Sequence, residues 1–314
     1  PLRLDARAMT LRLQAALPGQ PAFDARLEGA VGYQGSAGGS PTPPDARWQL
    51  TGTLNAQAFQ THGDVVLGGA RPQVQAEARF GELDLGAWLP HKAAPDAAAA
   101  PPPARGGPVV DRPVSLAALH SFDGRVTLQA DTLRYAPYVL RQWKAVATLD
   151  DGRLDLSPLS FDTWDGAVTA RVQAAAAGNQ SIALALQAQR IDIARALHDV
   201  AQSDLLEGRG ELSLDLRSSG RSVQALKAAL AGDARLRLRD GAVRGFNLAQ
   251  AMRQFQAALS TQADGVSPAL QTEKTDFSEL SASFHFTAGV GTNRDLDLKS
   301  PFLRVTGEGN LNLP

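Results

Sequence analysis

The sequence predicts a mainly β protein built on a long antiparallel sheet, and three observations predict it. Apolar and polar residues alternate with period two in run after run, which gives each strand one oily and one wet face. Asp–Gly pairs separate several runs, and Asp151–Gly152, Asp165–Gly166 and Asp240–Gly241 read as hairpin turns. Segments with helical spacing are few and short. A single wet face per strand favours antiparallel pairing, because strands of an all-parallel sheet are buried on both sides.

Along the chain, Pro1 leads directly into a strand-like pattern. Residues 34–47 (QGSAGGSPTPPDAR) are rich in Gly, Ser and Pro and read as a mobile loop. Trp48–Leu54 and Val74–Phe80 alternate as strands. Residues 91–113 (HKAAPDAAAAPPPARGGPVVDRP) carry too little large apolar surface to build a core and are stiffened by proline, as a linker or long insertion would be. They divide the chain into a strand-rich part, 1–90, and a second one, 114–314, and the sheet is free to continue across the division.

Strand patterns resume at Val126–Ala130, Trp143–Leu149, Val168–Val172 and Ile182–Ala188. Asp192 suits the cap of a short helix with Ile193, Leu197 and Val200 on one face. Leu212, Leu214 and Leu216 then alternate with Ser213, Asp215 and Arg217. Ser222 suits the cap of another short helix through Leu226 and Leu230. Leu236 and Leu238 alternate with Arg235, Arg237 and Arg239. The longest predicted helix is Asn247–Ser260, with Leu248, Met252, Phe255 and Leu259 on one stripe. Each stripe reads as packing onto the sheet. Leu280, Ala282, Phe284 and Phe286 form the next strand face, and Leu303–Val305 the last.

Composition narrows the function. Of 314 residues, 44% are hydrophobic and 20% charged, which is globular and not disordered. A net charge of −1 leaves no basic field for a nucleic-acid backbone. With no cysteine, disulfides, thiolate nucleophiles and zinc–cysteine sites are excluded. No stretch approaches the ~18 consecutive apolar residues of a membrane span, and no signal peptide opens the chain. Strand patterns abut both ends, so we expect a piece of a longer protein, with any anchor outside it.

Catalytic chemistry finds no purchase. His62, His91, His120, His198 and His285 show no ligand spacing. No nucleophile elbow, P-loop or dinucleotide fingerprint occurs, and the Gly307 and Gly309 pair lacks a following helix. Asp150–Asp151 and Asp295 with Asp297 are paired carboxylates by spacing, but a turn and a wet strand face explain them. Trp48, Trp88, Trp143 and Trp164 are scattered, which suits separate core anchors better than a sugar platform. Arg235, Arg237 and Arg239 form a stripe that reads as a solvated, edge-protecting row, with anionic headgroups or an acidic partner as the functional alternative. The expectation is a protein that is not an enzyme and needs no cofactor or metal.

The stretch LEGRGELSLDLRSSGRSVQALKAALAGDARLRLRDGAVRGFNLAQAMR (206–253) resembles the signature region of the AsmA family of Gram-negative envelope proteins. Asp240, Gly241, Val243, Gly245, Phe246, Asn247 and Leu248 fit its turn-into-helix motif. Residues 275–290 (TDFSELSASFHFTAGV) and 298–313 (LKSPFLRVTGEGNLNL) match the strands that follow. The resemblance is specific from about 114 to 314, and residues 1–90 are similar only in texture. It implies a curled antiparallel sheet, a β-groove or β-taco, with a few short helices capping or packing on it. It also implies a periplasmic location, an inner-membrane anchor that this chain lacks, and a part in outer-membrane biogenesis through phospholipid passage. No catalytic residues carry over.

The residues agree with that expectation in one respect: an oily strand face can hold acyl chains without any polar hot spot, at ~0.8 kcal/mol per buried CH₂. The candidate lining positions are Val126, Leu128, Leu212, Leu214, Leu216, Leu236, Leu238, Phe284, Phe286, Leu296, Leu298, Leu303 and Val305. Small neighbours such as Ala130, Ala145, Ala147, Ala170 and Ala282 leave room beside them, or suit tight packing. The partners expected are phospholipid or another acyl-chain lipid, the membrane, and envelope proteins. The alternative is a structural or assembly scaffold for outer-membrane proteins whose oily interior closes on itself. The two differ in whether these side chains face an open trough or interdigitate with protein.

Overall fold

The computed structural model describes residues 2–15, 23–35, 44–87, 111–244, 274–301 and 303–313. Strands dominate. In the first part of the chain they are β1 (Leu2–Ala15), β2 (Phe23–Gly35), β3 (Asp45–Leu54), β4 (Gln57–Val66) and β5 (Gln73–Asp84). Next come β6 (Asp123–Tyr135), β7 (Tyr138–Asp150), β8 (Arg153–Thr163), β9 (Gly166–Ala175) and β10 (Ser181–Asp192). The last are β11 (Leu206–Ser219), β12 (Ala231–Arg244), β13 (Lys274–Thr287), β14 (Val290–Ser300) and β15 (Leu303–Asn312). Helix α1 (Ile193–Ala201) joins β10 to β11, and α2 (Val223–Ala228) joins β11 to β12.

These strands form one sheet whose spatial order is their chain order, β1 through β15, and the sheet does not close. Sequential order follows from short connections, which favour pairing with the next strand. The exception in direction is β5 with β6, which run parallel in the register Phe80 to Ala130 and Leu83 to Leu133. Parallel neighbours need a crossover of a dozen or more residues to bring the chain back to the same end. The stretch between Asp84 and Asp123 supplies that length, so the predicted insertion does not interrupt the sheet. Its last residues are ordered: Asp111 accepts from the Gln224 amide at 3.0 Å, Val223 donates to the Arg112 carbonyl at 3.0 Å, and Pro113 bridges to Ser222.

Two compact units divide the chain elsewhere than at the insertion. One takes in Pro1–Phe161, Ala170–Ala183 and Ser218–Lys227; the other takes in Asp162–Thr169, Leu184–Arg217 and Ala228–Pro314. The first has a core of Phe80, Leu83, Ala130 and Leu133, with Phe59, Ala78, Leu85, Leu140 and Trp143 against it. Phe59 and Phe80 stack with ring centroids 5.4 Å apart. Arg71 ties strand ends together in this unit, bonding Asp123 at 3.2 Å and Asp151 at 2.6 Å. The second unit buries Val168, Ala188, Ile191, Leu238, Ala242, Phe277 and Leu280.

Several local readings need correction. Asp240–Gly241 is no hairpin. Asp240 is left-handed (φ 48°), but β12 runs on to Arg244, and the two residues together oppose Gly208 of β11. The pair is a β-bulge, which absorbs the same backbone conformation that a turn would use. At the next site the true turn is Trp164–Asp165 (φ 49° and 60°), with Gly166 already in β9. Asp151–Gly152 (φ 44° and 72°) is a turn as read. On α1, Asp192 caps by accepting from the Arg195 amide at 3.2 Å, but the inward face is Ile193 and Ala196, while Val200 is 63% exposed. On α2, Ser222 Oγ accepts from the Ala225 amide at 3.2 Å, and the helix ends before Leu230. The predicted loop 34–47 is shorter, since β2 reaches Gly35 and β3 begins at Asp45. The predicted helix Asn247–Ser260, Trp88 and His91 lie outside the described residues. Among those described, no helix is long and apolar enough to cross a membrane.

Candidate functional site

Strand register assembles the candidate positions in the second unit into rows across neighbouring strands. Gly210, Leu238, Leu280, Leu298 and Val305 lie side by side on β11 to β15. One step along, Leu212, Leu236 and Ala282 are aligned, then Leu214, Ala234 and Phe284. The last row runs Leu216, Gly232, Phe286, Gly291 and Leu311. Directly opposed residues share a face, so these rows make one continuous apolar surface. The rings of Phe284 and Phe286 stack at 6.4 Å on it.

Exposure differs along this surface. Leu212, Leu214, Leu216, Leu236, Phe284, Leu296, Leu298 and Val305 are half-buried. Leu238 has no exposed area, and Phe286 is 8% exposed, so solvent does not reach them as a lining position would require. The side chain of Leu303 lies outside the described residues. Val126 and Leu128 sit in the first unit, on β6, flanked by Ala76 and Ala147 and by Ala78 and Ala145. They are half-buried beside small partners. Ala130 and Ala145 are themselves buried, packing against larger neighbours and not opening space.

Alternation missed Gly210, Ala234, Gly232, Gly291 and Leu311, which complete the rows. Glycine and alanine carry no hydropathy signal, but a Gly among alternating leucines marks a close approach. At Gly291 an added Cβ would stand 2.6 Å from the Phe286 ring, so the ring packs directly against the glycine.

The opposite face is charged. Arg209, Arg239, Glu279, Lys299 and Arg304 form the row behind Leu238. Lys299 bonds Glu279 at 2.7 Å, Arg237 approaches the same carboxylate at 3.4 Å, and Arg304 grips Asp297 through both oxygens at 2.7 and 2.8 Å. The Lys299 hydrogen bond holds the Glu279 carboxyl below its ordinary range, and Arg304 does the same for Asp297. Asp295 accepts from Ser283 Oγ at 2.6 Å, the Ser283 amide at 2.8 Å and Asn293 at 2.8 Å, and is lowered by these bonds. This network fills the place where the register of β13 and β14 shifts. A general acid needs the opposite displacement, upward through burial. Asp151 is likewise lowered, by Arg71.

Three of the described histidines each sit beside a different carboxylate. His62 lies 3.7 Å from Glu77, His198 3.1 Å from Asp204 and His285 3.0 Å from Asp233. Among the described residues no group of three ligand side chains could hold a metal. Trp48 donates to Thr61, Trp164 donates to Asp199, and Trp143 packs in the Phe80 core, so the three are separate anchors.

An amphipathic sheet of long strands in sequential order, oily on one side and ion-paired on the other, is the pattern on which the family comparison bears. The model of the AsmA family matches residues 47–296, most of the chain. The chain belongs to the AsmA family. The match reaches from β3 into β14, so AsmA character begins well before residue 114, within the part whose resemblance was only one of texture. No curated protein and no solved structure matches the chain.

Proposed function

We propose that this AsmA chain is the periplasmic part of an inner-membrane-anchored protein that holds phospholipid, or another acyl-chain lipid, on the apolar face of β11 to β15. In this reading it supports outer-membrane biogenesis, works without catalysis or cofactor, and meets envelope proteins at its ends. One observation carries the reading: register puts half-exposed apolar side chains, among them Leu212, Leu214, Leu236, Phe284, Leu298 and Val305, in rows over five strands, while Arg237, Arg239, Glu279, Lys299 and Arg304 occupy alternate positions behind them. Half-exposed leucines in water are unfavourable, and an acyl chain laid along them removes that surface at ~0.8 kcal/mol per buried CH₂. Long strands suit long chains, since 14 residues of β11 extend about 46 Å.

The fully buried Leu238, with the buried Leu280 opposite it, favours the second reading locally, a scaffold whose interior is closed by protein. Native mass spectrometry of delipidated protein mixed with phospholipid separates the two. The lipid reading expects adducts on the native chain and their loss in Leu214→Glu, with an unchanged β circular dichroism spectrum. A native chain that takes up no lipid sinks it. Leu214 is the better probe because Leu238→Glu would bury a charge and unfold the sheet.

A further inference from the structure

On the charged face of the second unit, β10, β11 and β12 each depart from regular geometry at the same level. Arg190 in β10 is left-handed (φ 57°), Gly208 in β11 has φ 133°, and Asp240 in β12 has φ 48°. All three line one depression of about 690 Å³. Left-handed non-glycine residues cost energy and collect where a site needs them, and bulges re-aim side chains. Here they open a hollow in what would otherwise be a flat ladder.

Arginines converge on this hollow. Arg237 and Arg244 are already held, by Glu279 and Glu207. Among the described residues, Arg190, Arg209 and Arg239 have no hydrogen bond or ion pair, although Arg239 adds a weaker attraction to Glu279. Arg209 and Arg239 are direct cross-strand neighbours. Like charges in that position repel. The acids within the lining leave the excess in place: Asp192 is taken by Arg195, and Glu207 by Arg244, which leaves Glu211 and Asp240 against three unpaired arginines. A guanidinium fork matches a phosphoryl group by two parallel N–H···O bonds.

We propose that this hollow is a binding site for a phosphoryl-bearing anion, gripped by Arg209 and Arg239 with Arg190 at the rim. The site stands on the face opposite the leucine rows and does not depend on lipid uptake there. The anion is either a free phosphate compound or the headgroup of an anionic phospholipid.

The test uses the whole chain in two arms. In the first, inorganic pyrophosphate is titrated at constant ionic strength, read by calorimetry and by the melting temperature. In the second, the chain is co-sedimented with phosphatidylglycerol vesicles and with phosphatidylcholine vesicles. The double variant Arg209→Gln/Arg239→Gln is compared with Arg235→Gln, which removes an arginine of the same strand outside the hollow. Saturable pyrophosphate binding weakened about tenfold or more in the double variant, and kept in Arg235→Gln, supports a free-anion site. Selective binding to phosphatidylglycerol vesicles with the same variant pattern supports a headgroup site. Failure of the native chain in both arms overturns the proposal, as does equal weakening by Arg235→Gln, which reports charge alone. Should the double variant fold poorly, the native melt decides: equal melting in pyrophosphate and in chloride overturns the site.

Discussion

Residue-scale behaviour is set by close approaches and by what each charge touches. Gly241 completes the bulge with Asp240, and a Cβ there would meet the Glu207 carbonyl and stand 2.6 Å from the Phe277 ring. Gly241→Val therefore forces backbone apart as well as side chain, and should lower stability by about 1–3 kcal/mol, read as a drop in the urea midpoint. Acid acts through Asp155, Asp233, Glu279 and Asp297. Each is held below its ordinary range, first of all by a hydrogen bond from Arg171, His285, Lys299 and Arg304 respectively. Their stabilisation is complete above the unfolded carboxylate range and is lost as pH falls through the lowered values. The urea midpoint should therefore stay level from neutral pH to about 5 and decline below about 4. Asp297→Asn should flatten that decline, and an unchanged slope would remove Asp297 from the cause.

Elements form where local and tertiary preferences agree. α1 needs its Asp192 cap because one face alone, Ile193 and Ala196, is buried. Asp192→Ala should cost about 1 kcal/mol, visible in thermal melts. Legibility at this scale follows side-chain size. Strands with bulky alternation, such as β11, β12 and β13, were readable from Leu212, Leu236 and Leu280 onward. β4 was not, because its inward positions after Phe59 are Thr61 and Gly63, and β8 was not, because Pro158 interrupts it. The Asp–Gly pairs were legible as left-handed backbone and illegible as to use. Asp151–Gly152 turns the chain, whereas Asp240–Gly241 swells a strand that continues, and only the partner strand decides between them.

The whole molecule is an open sheet in chain order, and its candidate sites are emergent properties of register. A lipid bound only to the folded state stabilises it by mass action, about 2.7 kcal/mol at a hundredfold excess over Kd. The delipidated chain should therefore melt at higher temperature as phospholipid is added, and Leu214→Glu should melt alike with and without it. Equal melting of the native chain would count against the apolar face as a lipid seat.

Sequence alone determined the class of structure: β strands with one oily face, short capped helices and AsmA-like motifs, because alternation, caps and turn residues act over a few neighbours. Tertiary structure alone decided which residues meet. It ran β5 parallel to β6, sealed Leu238 while leaving Leu214 half-open, and brought Arg190, Arg209 and Arg239 to one hollow. Those outcomes depend on pairing between distant segments. A shift of one residue exchanges the two faces of a strand, so no local pattern could have contained them.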